Sequence, residues 1–305
     1  MNLWIPLISR HVVRLVGKQA LHFLQGLTTY DMRLVKEGEA VFTAFLNRQG
    51  RFLADGFVVQ HQESIYLEYD NVHDEVLNTL CKTYGPLNGV SLKRMPWVVF
   101  SFMGPQAHTL APDVAAALSA PSVCYADPRD PELGIRSIVA YQHWHTIPHE
   151  LCVPASEHDY HRACVSLGIP SGSLDLVFER SLILEYDYHV HHAVSWNKGC
   201  YLGQEVMARS FYQDRFRRSL FRLSHLQFPL DLPKAGDKIL DTDYVHQGYW
   251  GSPIEQQCLV CLDRDWAFER ITSSSELRIS TESGDCITAT LEALHTPHIP
   301  QHAIK

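Results

Sequence analysis

The chain has 305 residues, 46% of them hydrophobic and 20% charged, and its 26 basic and 34 acidic residues leave a formal net charge of −8. That composition is ordinary for a globular protein with a sizeable core, and the length predicts two or three domains. The acidic balance argues against direct nucleic-acid binding, and no apolar run approaches membrane-spanning length, so no membrane partner is expected. Leu3 to Ile8 is an apolar patch with no basic residue before it and is too short for a secretory segment, which sets the expectation of a cytoplasmic protein. The eight cysteines are scattered through apolar surroundings, which in a chain of this length is not a disulfide framework.

In chain order, His11 to Val16 reads as a strand and Lys18 to Leu27 as a short helix, with Leu21, Leu24 and Leu27 at helical spacing. Thr28-Thr29-Tyr30-Asp31 leaves that helix as a polar loop. Val41 to Leu46 and Arg51 to Val59 read as strands joined by Asn47-Arg48-Gln49-Gly50, a hairpin turn signal. Ile65 to Tyr69 alternates like a third strand, and Val72 to Tyr84 like a helix. Pro96 to Met103 predicts a strand, Gln106 to Leu118 a helix, and the Pro- and Asp-rich Ala120 to Pro131 a loop. Ile135 to Tyr141 and His149 to Val153 read as strands, and Glu157 to Leu167 as a helix ending at Gly168. Strand pairs followed by helices, twice over, predict an α+β fold with two mixed sheet-and-helix sub-domains. After Arg209 the texture shifts to short strand-like runs, such as Phe216 to Leu226 and Cys286 to Leu294, between Pro, Gly, Asp and Ser clusters. These predict a small antiparallel barrel. The boundary falls near Arg215, giving domains 1–215 and 216–305.

One stretch gathers reactive groups: Asn197-Lys198-Gly199-Cys200-Tyr201-Leu202-Gly203-Gln204-Glu205. Tyr201, Leu202, Val206 and Met207 recur at helical spacing, so a glycine turn leading into a helix is predicted, with Cys200 at or near the first turn. A thiol there would be acidified by the helix end and by the Lys198 ammonium. The bland alternative is a buried cysteine at a tight turn. Cys258-Leu259-Val260-Cys261 has the spacing of a redox or metal pair, but it stands alone in an apolar run and reads as a buried strand. His189, His191 and His192 lack a partner at ligand spacing, and His143 and His145 read as solvated or core residues. Arg209, Arg215, Arg217, Arg218 and Arg222 form the strongest basic cluster, either a solvated strand edge or a contact for a polyanion.

The octapeptide Lys198 to Glu205 resembles the signature of the folate-binding YgfZ family, a branch of the superfamily of the glycine-cleavage T-protein, a tetrahydrofolate-dependent aminomethyltransferase. Phe23-Leu24-Gln25-Gly26-Leu27-Thr28-Thr29-Tyr30-Asp31 and Leu46-Asn47-Arg48-Gln49-Gly50-Arg51 resemble two further blocks of that family. Gly168-Ile169-Pro170-Ser171-Gly172, Asp175 and Glu185 match its approach to the signature. The resemblance implies two sub-domains forming a folate channel, with a C-terminal β-barrel. It implies tetrahydrofolate or a one-carbon derivative as cofactor, with Asp31, Asn47, Asp55, Glu185, Tyr201, Gly203, Gln204 and Glu205 as binding residues. Cys200, Lys198 and Asp55 are the implied reactive residues. Asp55 stands where T-proteins carry the second of two adjacent aspartates, and Ala54 replaces the first, which counts against aminomethyl transfer. The glycine-tyrosine-glutamate block of many T-proteins is not evident, and Ser156-Glu157-His158-Asp159 occupies about that region.

The function so implied is an accessory role in iron–sulfur cluster assembly or repair. It would support 4Fe–4S enzymes, tRNA-modifying ones included, with assembly factors or client enzymes as partners. A lone cysteine cannot hold a cluster that takes four thiolates, so transient handling is expected. The alternatives are a folate-dependent one-carbon transferase of the T-protein type and an RNA-binding module using the arginines.

Overall fold

The computed structural model describes residues 2–109, 122–142, 152–227, 232–273, 277–282 and 284–294. The fold is α+β with a closed antiparallel barrel, as the sequence predicts. The chain divides into two compact units. One comprises Met1–Asn47, Leu53–Tyr160 and His189–Leu202, and the other Arg48–Phe52, His161–Tyr188 and Gly203–Lys305.

The first unit carries two five-stranded sheets. One is ordered β3-β4-β5-β2-β6, from Ala40–Leu46, Phe52–His61, Ser64–Asp70, Arg10–Val16 and Ser91–Arg94. The other is ordered β10-β1-β7-β9-β8, from Val153–Pro154, Leu3–Leu7, Trp97–Met103, Ile135–Ala140 and Ser122–Ala126. Strand residues two apart share a face. Val58 and Leu67 therefore face the helices Ala20–Leu27 and Asp74–Asn88, in one apolar core with Phe23, Leu24, Leu27 and Leu77. Phe57 and its cross-strand partner Glu68 face the other way. Leu3–Leu7, read from sequence only as an apolar patch, is a strand paired with β7, and Ser122–Ala126 lies inside the predicted loop. Its Val123 and Tyr125 are buried, an alternation too short to stand out beside the Pro and Asp residues around it. The predicted helix Gln106 to Leu118 falls outside the described residues from 110 on, as do His143, His145 and most of the predicted strand His149 to Val153.

Between the two sheets lies a buried ionic layer. Glu68 on β5 accepts from Arg10 Nε (2.9 Å) and, with both oxygens, from Arg136 on β9; the Tyr125 hydroxyl of β8 donates to it as well. Asp127 accepts from Arg129 Nε and Nη2 (3.0 and 2.7 Å) and from Arg136 Nη1 (3.4 Å). The Tyr160 hydroxyl accepts from Arg129 and from Arg136 Nη1 (2.8 Å). Arg10, Arg129 and Arg136 all lie over the Phe57 ring, 4.5 to 5.5 Å from its centroid. Burial alone would raise both carboxyls, but Arg136 with Arg10 holds Glu68 below its ordinary range, and Arg129 with Arg136 does the same for Asp127.

The second unit holds the closed barrel β11-β14-β13-β12-β15-β16, from Arg218–Gln227, Cys258–Asp263, His246–Trp250, Lys238–Leu240, Leu277–Ser280 and Cys286–Ala293. Trp250, Leu223, Val260 and Ile287 fill it. The helix Arg264–Ser273, absent from the sequence reading, packs Phe268 against Phe221.

Glu68→Gln removes one charge from a buried layer and leaves Arg136 under-compensated. It should cost about 3–5 kcal/mol of unfolding free energy in urea. Glu68→Gln combined with Arg136→Met should cost less than the sum of the single changes, because the two residues are one another's partner.

Candidate functional site

Two of the blocks singled out in the sequence meet in the first unit. The helix Ala20–Leu27 ends at Thr28, and the polar loop after it is pinned by the stretch that leads into the signature. Thr29 Oγ1 donates to the Ala193 carbonyl (2.6 Å), Ser195 N to the Thr29 carbonyl (3.0 Å), and Asp31 N to Ser195 Oγ (3.0 Å). Leu202 N donates to the Gly26 carbonyl (3.0 Å). Lys198 lies at the centre of this arrangement. Its ammonium donates to the carbonyls of Gln25 (3.0 Å), Thr28 (2.5 Å) and Tyr30 (2.8 Å), and sits 4.8 Å from the centroid of the buried Tyr201 ring. Burial lowers it to about 8, with Asp31 opposing.

An ammonium has three hydrogens, and here all three are used. Lys198 therefore bolts the loop in place. The expected helix begins at Gln204, capped by Gly203 at φ 85°, four residues after Cys200. The Lys198 ammonium, expected beside the thiol, is turned to carbonyls of the Gln25–Tyr30 stretch. What the arrangement does is hold Cys200 as an exposed free thiol on a braced loop.

Asp31 is likewise committed. It caps the turn Met32–Leu34, accepting from Arg33 N, and its carboxylate takes the Arg33 guanidinium and Gln25 Nε2. The hydrogen bond from Arg33 lowers it to about 2, although burial works against this. Asp55 is buried on β4, two residues before Phe57 and so on the face of the ionic layer. It acts electrostatically on His73, whose ring is lowered by burial while Asp55 and Asp70 oppose. Asn47 closes β3 at the hairpin.

In the second unit the hairpin tip meets the signature helix. Gly50 has φ +71°, and a Cβ there would lie 3.0 Å from Val206 Cβ, so only glycine lets the turn approach Gln204–Tyr212 this closely. Gln204 is half-buried, and Glu205 is exposed and paired with Arg209 one turn on, a surface ion pair. Glu185 lies in the short turn Ile183–Tyr186 and lines a cavity of about 220 Å³ with Arg51, Arg180, Arg218 and Tyr249. Burial raises its carboxyl, and Arg218 and Arg51 oppose. Two residues on, Asp187 is pushed up to about 7 by burial, with Arg264 opposing.

The arginine cluster read from the sequence is not one patch. Arg209 pairs with Glu205, Arg222 with Glu292, and Arg218 turns into the Glu185 cavity. Arg51, Arg180 and Tyr249, which complete that cavity, come from three separate stretches that no local spacing connects. Cys258 and Cys261 are both buried on β14, and burial raises both thiols, as expected of a core strand.

Residues 9–141 match the GCVT N-terminal domain. The whole fold is similar to the glycine cleavage system aminomethyltransferase T from Bartonella henselae, with a TM-score of 0.75 over 98% of this chain and 87% of that one, at 14% identity. The domain match covers less than half of the chain, and the solved structure shares the fold. Curated relatives include the iron–sulfur cluster assembly factor IBA57 homologue of Dictyostelium discoideum, 25% identical over 71% of this chain and 61% of that protein. The homologue of Neurospora crassa is 27% identical over 82% of this chain and 62% of its own length. The mouse protein of that name is 29% identical, covering 75% and 67%. The chain thus spans about three fifths of the first two relatives' length. All three are named as mitochondrial, which contradicts the expected cytoplasmic location. Scanning for apolar runs tests for secretory and membrane segments, whereas mitochondrial targeting uses amphipathic basic ones, so that reading had no power over this choice.

Lys198→Met would leave three carbonyls without their donor and should cost about 2–4 kcal/mol in chemical denaturation. It should also raise hydrogen exchange at the Leu202 and Ser195 amides, which the same loop holds.

Proposed function

We propose that the chain is an accessory factor for iron–sulfur cluster assembly or repair that works with a reduced folate and presents Cys200 to its cargo. The observation that carries this is the braced loop: a free, exposed thiol held within a chain similar to iron–sulfur assembly factors over most of its length. In this reading Cys200 engages a cluster or sulfur species transiently, since four thiolates are needed for stable cluster ligation. Lys198 positions the loop. Assembly factors and client enzymes, those that modify tRNA among them as in the YgfZ family, are the partners.

The donor set fits a reduced folate. A pterin presents paired N–H donors, which call for a buried carboxylate acceptor. In the first unit Asp55 is such a carboxylate, with Asn47 and Tyr201 as proposed contacts, and in the second Glu185 is, with Gly203 and Gln204. Asp31 and Glu205 contribute through loop and helix geometry, because their carboxylates are already taken by arginines. When bound, tetrahydrofolate or a one-carbon derivative would supply one-carbon chemistry. Ala54 lies wholly within the apolar core, so no carboxylate stands at the position of the first T-protein aspartate, and the transferase alternative gains nothing from it.

Isothermal titration of the full chain with tetrahydrofolate and its methylene and formyl forms should give saturable binding to at least one of them. Asp55→Ala should weaken it by one charge-assisted hydrogen bond, about 1.5–3 kcal/mol. Absence of binding to all three would remove folate from the reading.

A further inference from the structure

An ordered glycine costs chain entropy, so it is expected where the backbone is left-handed or where a neighbour leaves no room for a Cβ. Most glycines here meet one of those conditions. Gly50 has φ +71°, and a Cβ would lie 2.5 Å from the Glu68 carbonyl oxygen at Gly56 and 2.2 Å from that of Phe102 at Gly134. Among the glycines whose surroundings are described, Gly26 and Gly199 alone meet neither condition. Their φ is not left-handed, and an added Cβ would have nothing within 4 Å. Both are exposed.

The two flank the exposed thiol. Gly199 directly precedes Cys200, next to the buried Lys198. Gly26 lies on the solvent stripe of Ala20–Leu27, four residues after the exposed His22, while Phe23, Leu24 and Leu27 face the core. Its carbonyl accepts from Leu202 N at 3.0 Å, two residues beyond Cys200. Alanine would serve the helix better at position 26, because it loses less chain entropy there. What glycine supplies at both positions is clearance: with no side chain beside the thiol, a broad surface can come to van der Waals contact with the backbone. A small reagent needs no such clearance, since it reaches an exposed sulfur past a neighbouring side chain.

We propose that Gly26 and Gly199 determine which class of partner reaches Cys200: a folded protein surface, laid against the backbone on either side of the thiol, and not a diffusing small molecule. This rests on Cys200 as the working group of the proposed function. A steric test on the thiol involves neither cluster nor folate, so the two readings fail separately.

The test applies two probes of the same chemistry and different size to the full chain: a small aromatic disulfide, and a folded single-cysteine protein activated as its mixed disulfide with that aromatic thiol. With each, the Cys200 thiolate attacks the disulfide, a new S–S bond forms and the aromatic thiolate leaves. Rates are read per cysteine by mass spectrometry, with the exposed Cys286 as the internal reference. Gly26→Ala and Gly199→Ala should keep or raise the urea midpoint, since neither φ nor packing opposes a Cβ. Gly26→Leu should slow the protein probe at Cys200 about tenfold or more relative to Cys286, and the alanine variants by less. The small probe should keep its wild-type ratio in all three. An unchanged protein-probe ratio in the folded Gly26→Leu chain would overturn the proposal. So would an equal slowing of the small probe, which would place the effect on the thiol itself, or a lowered midpoint in both alanine variants, which would make the glycines structural.

Discussion

The first unit depends on the pairing of Glu68 with Arg136 between its two sheets. A carboxylate and a guanidinium with side chains 0% and 1% exposed are taken from water at a cost of several kcal/mol each. That cost is offset only because their bonding capacity is used by Arg10, Tyr125, Asp127 and Tyr160, and because three guanidiniums lie on the Phe57 ring. Directional bonds of this kind set the register of one sheet over the other more sharply than apolar packing does. The same face of β4 carries Asp55, so the layer that joins the sheets also keeps a proposed ligand carboxylate in a polar, low-dielectric setting.

A second constraint acts on the signature. Glycine-rich stretches lose much chain entropy on ordering, and this one is held by hydrogen bonds from its own residues to the Gln25–Asp31 loop. The lysine beside the cysteine looks in sequence like a thiol activator, yet its three hydrogens are spent on carbonyls. The loop is thus stiff where it is buried, at Lys198 and Tyr201, and open at Gly199 and Cys200. A fixed, accessible thiol suits passing contact with a cargo carried by another protein.

The fold class was legible because its strands and helices are long and periodic: β4 and β5 around their hairpin, the two helices behind them, and the alternating barrel strands. Elements that escaped reading were short or irregularly flanked, such as Ser122–Ala126 beside Pro and Asp, or amphipathic only weakly, such as Arg264–Ser273. In the site, the family resemblance singled out both the 23–31 block and the signature, whereas their contact and the direction in which Lys198 points were not legible. A lysine's four-carbon stem reaches acceptors that sequence proximity does not reveal, here residues about 170 positions away. The three arginines around Glu185 were hidden for the same reason, since only Arg218 belonged to a visible cluster.

The role of Cys200 is tested most directly by complementation in cells that lack this protein, reading the activity of a 4Fe–4S enzyme. Cys200→Ser changes one exposed atom and should fold as the wild type does. It is expected to leave the cluster enzyme at the activity of the deletion strain while the wild-type chain restores it. Full restoration by Cys200→Ser, at equal protein level, would mean that the thiol is not the working group.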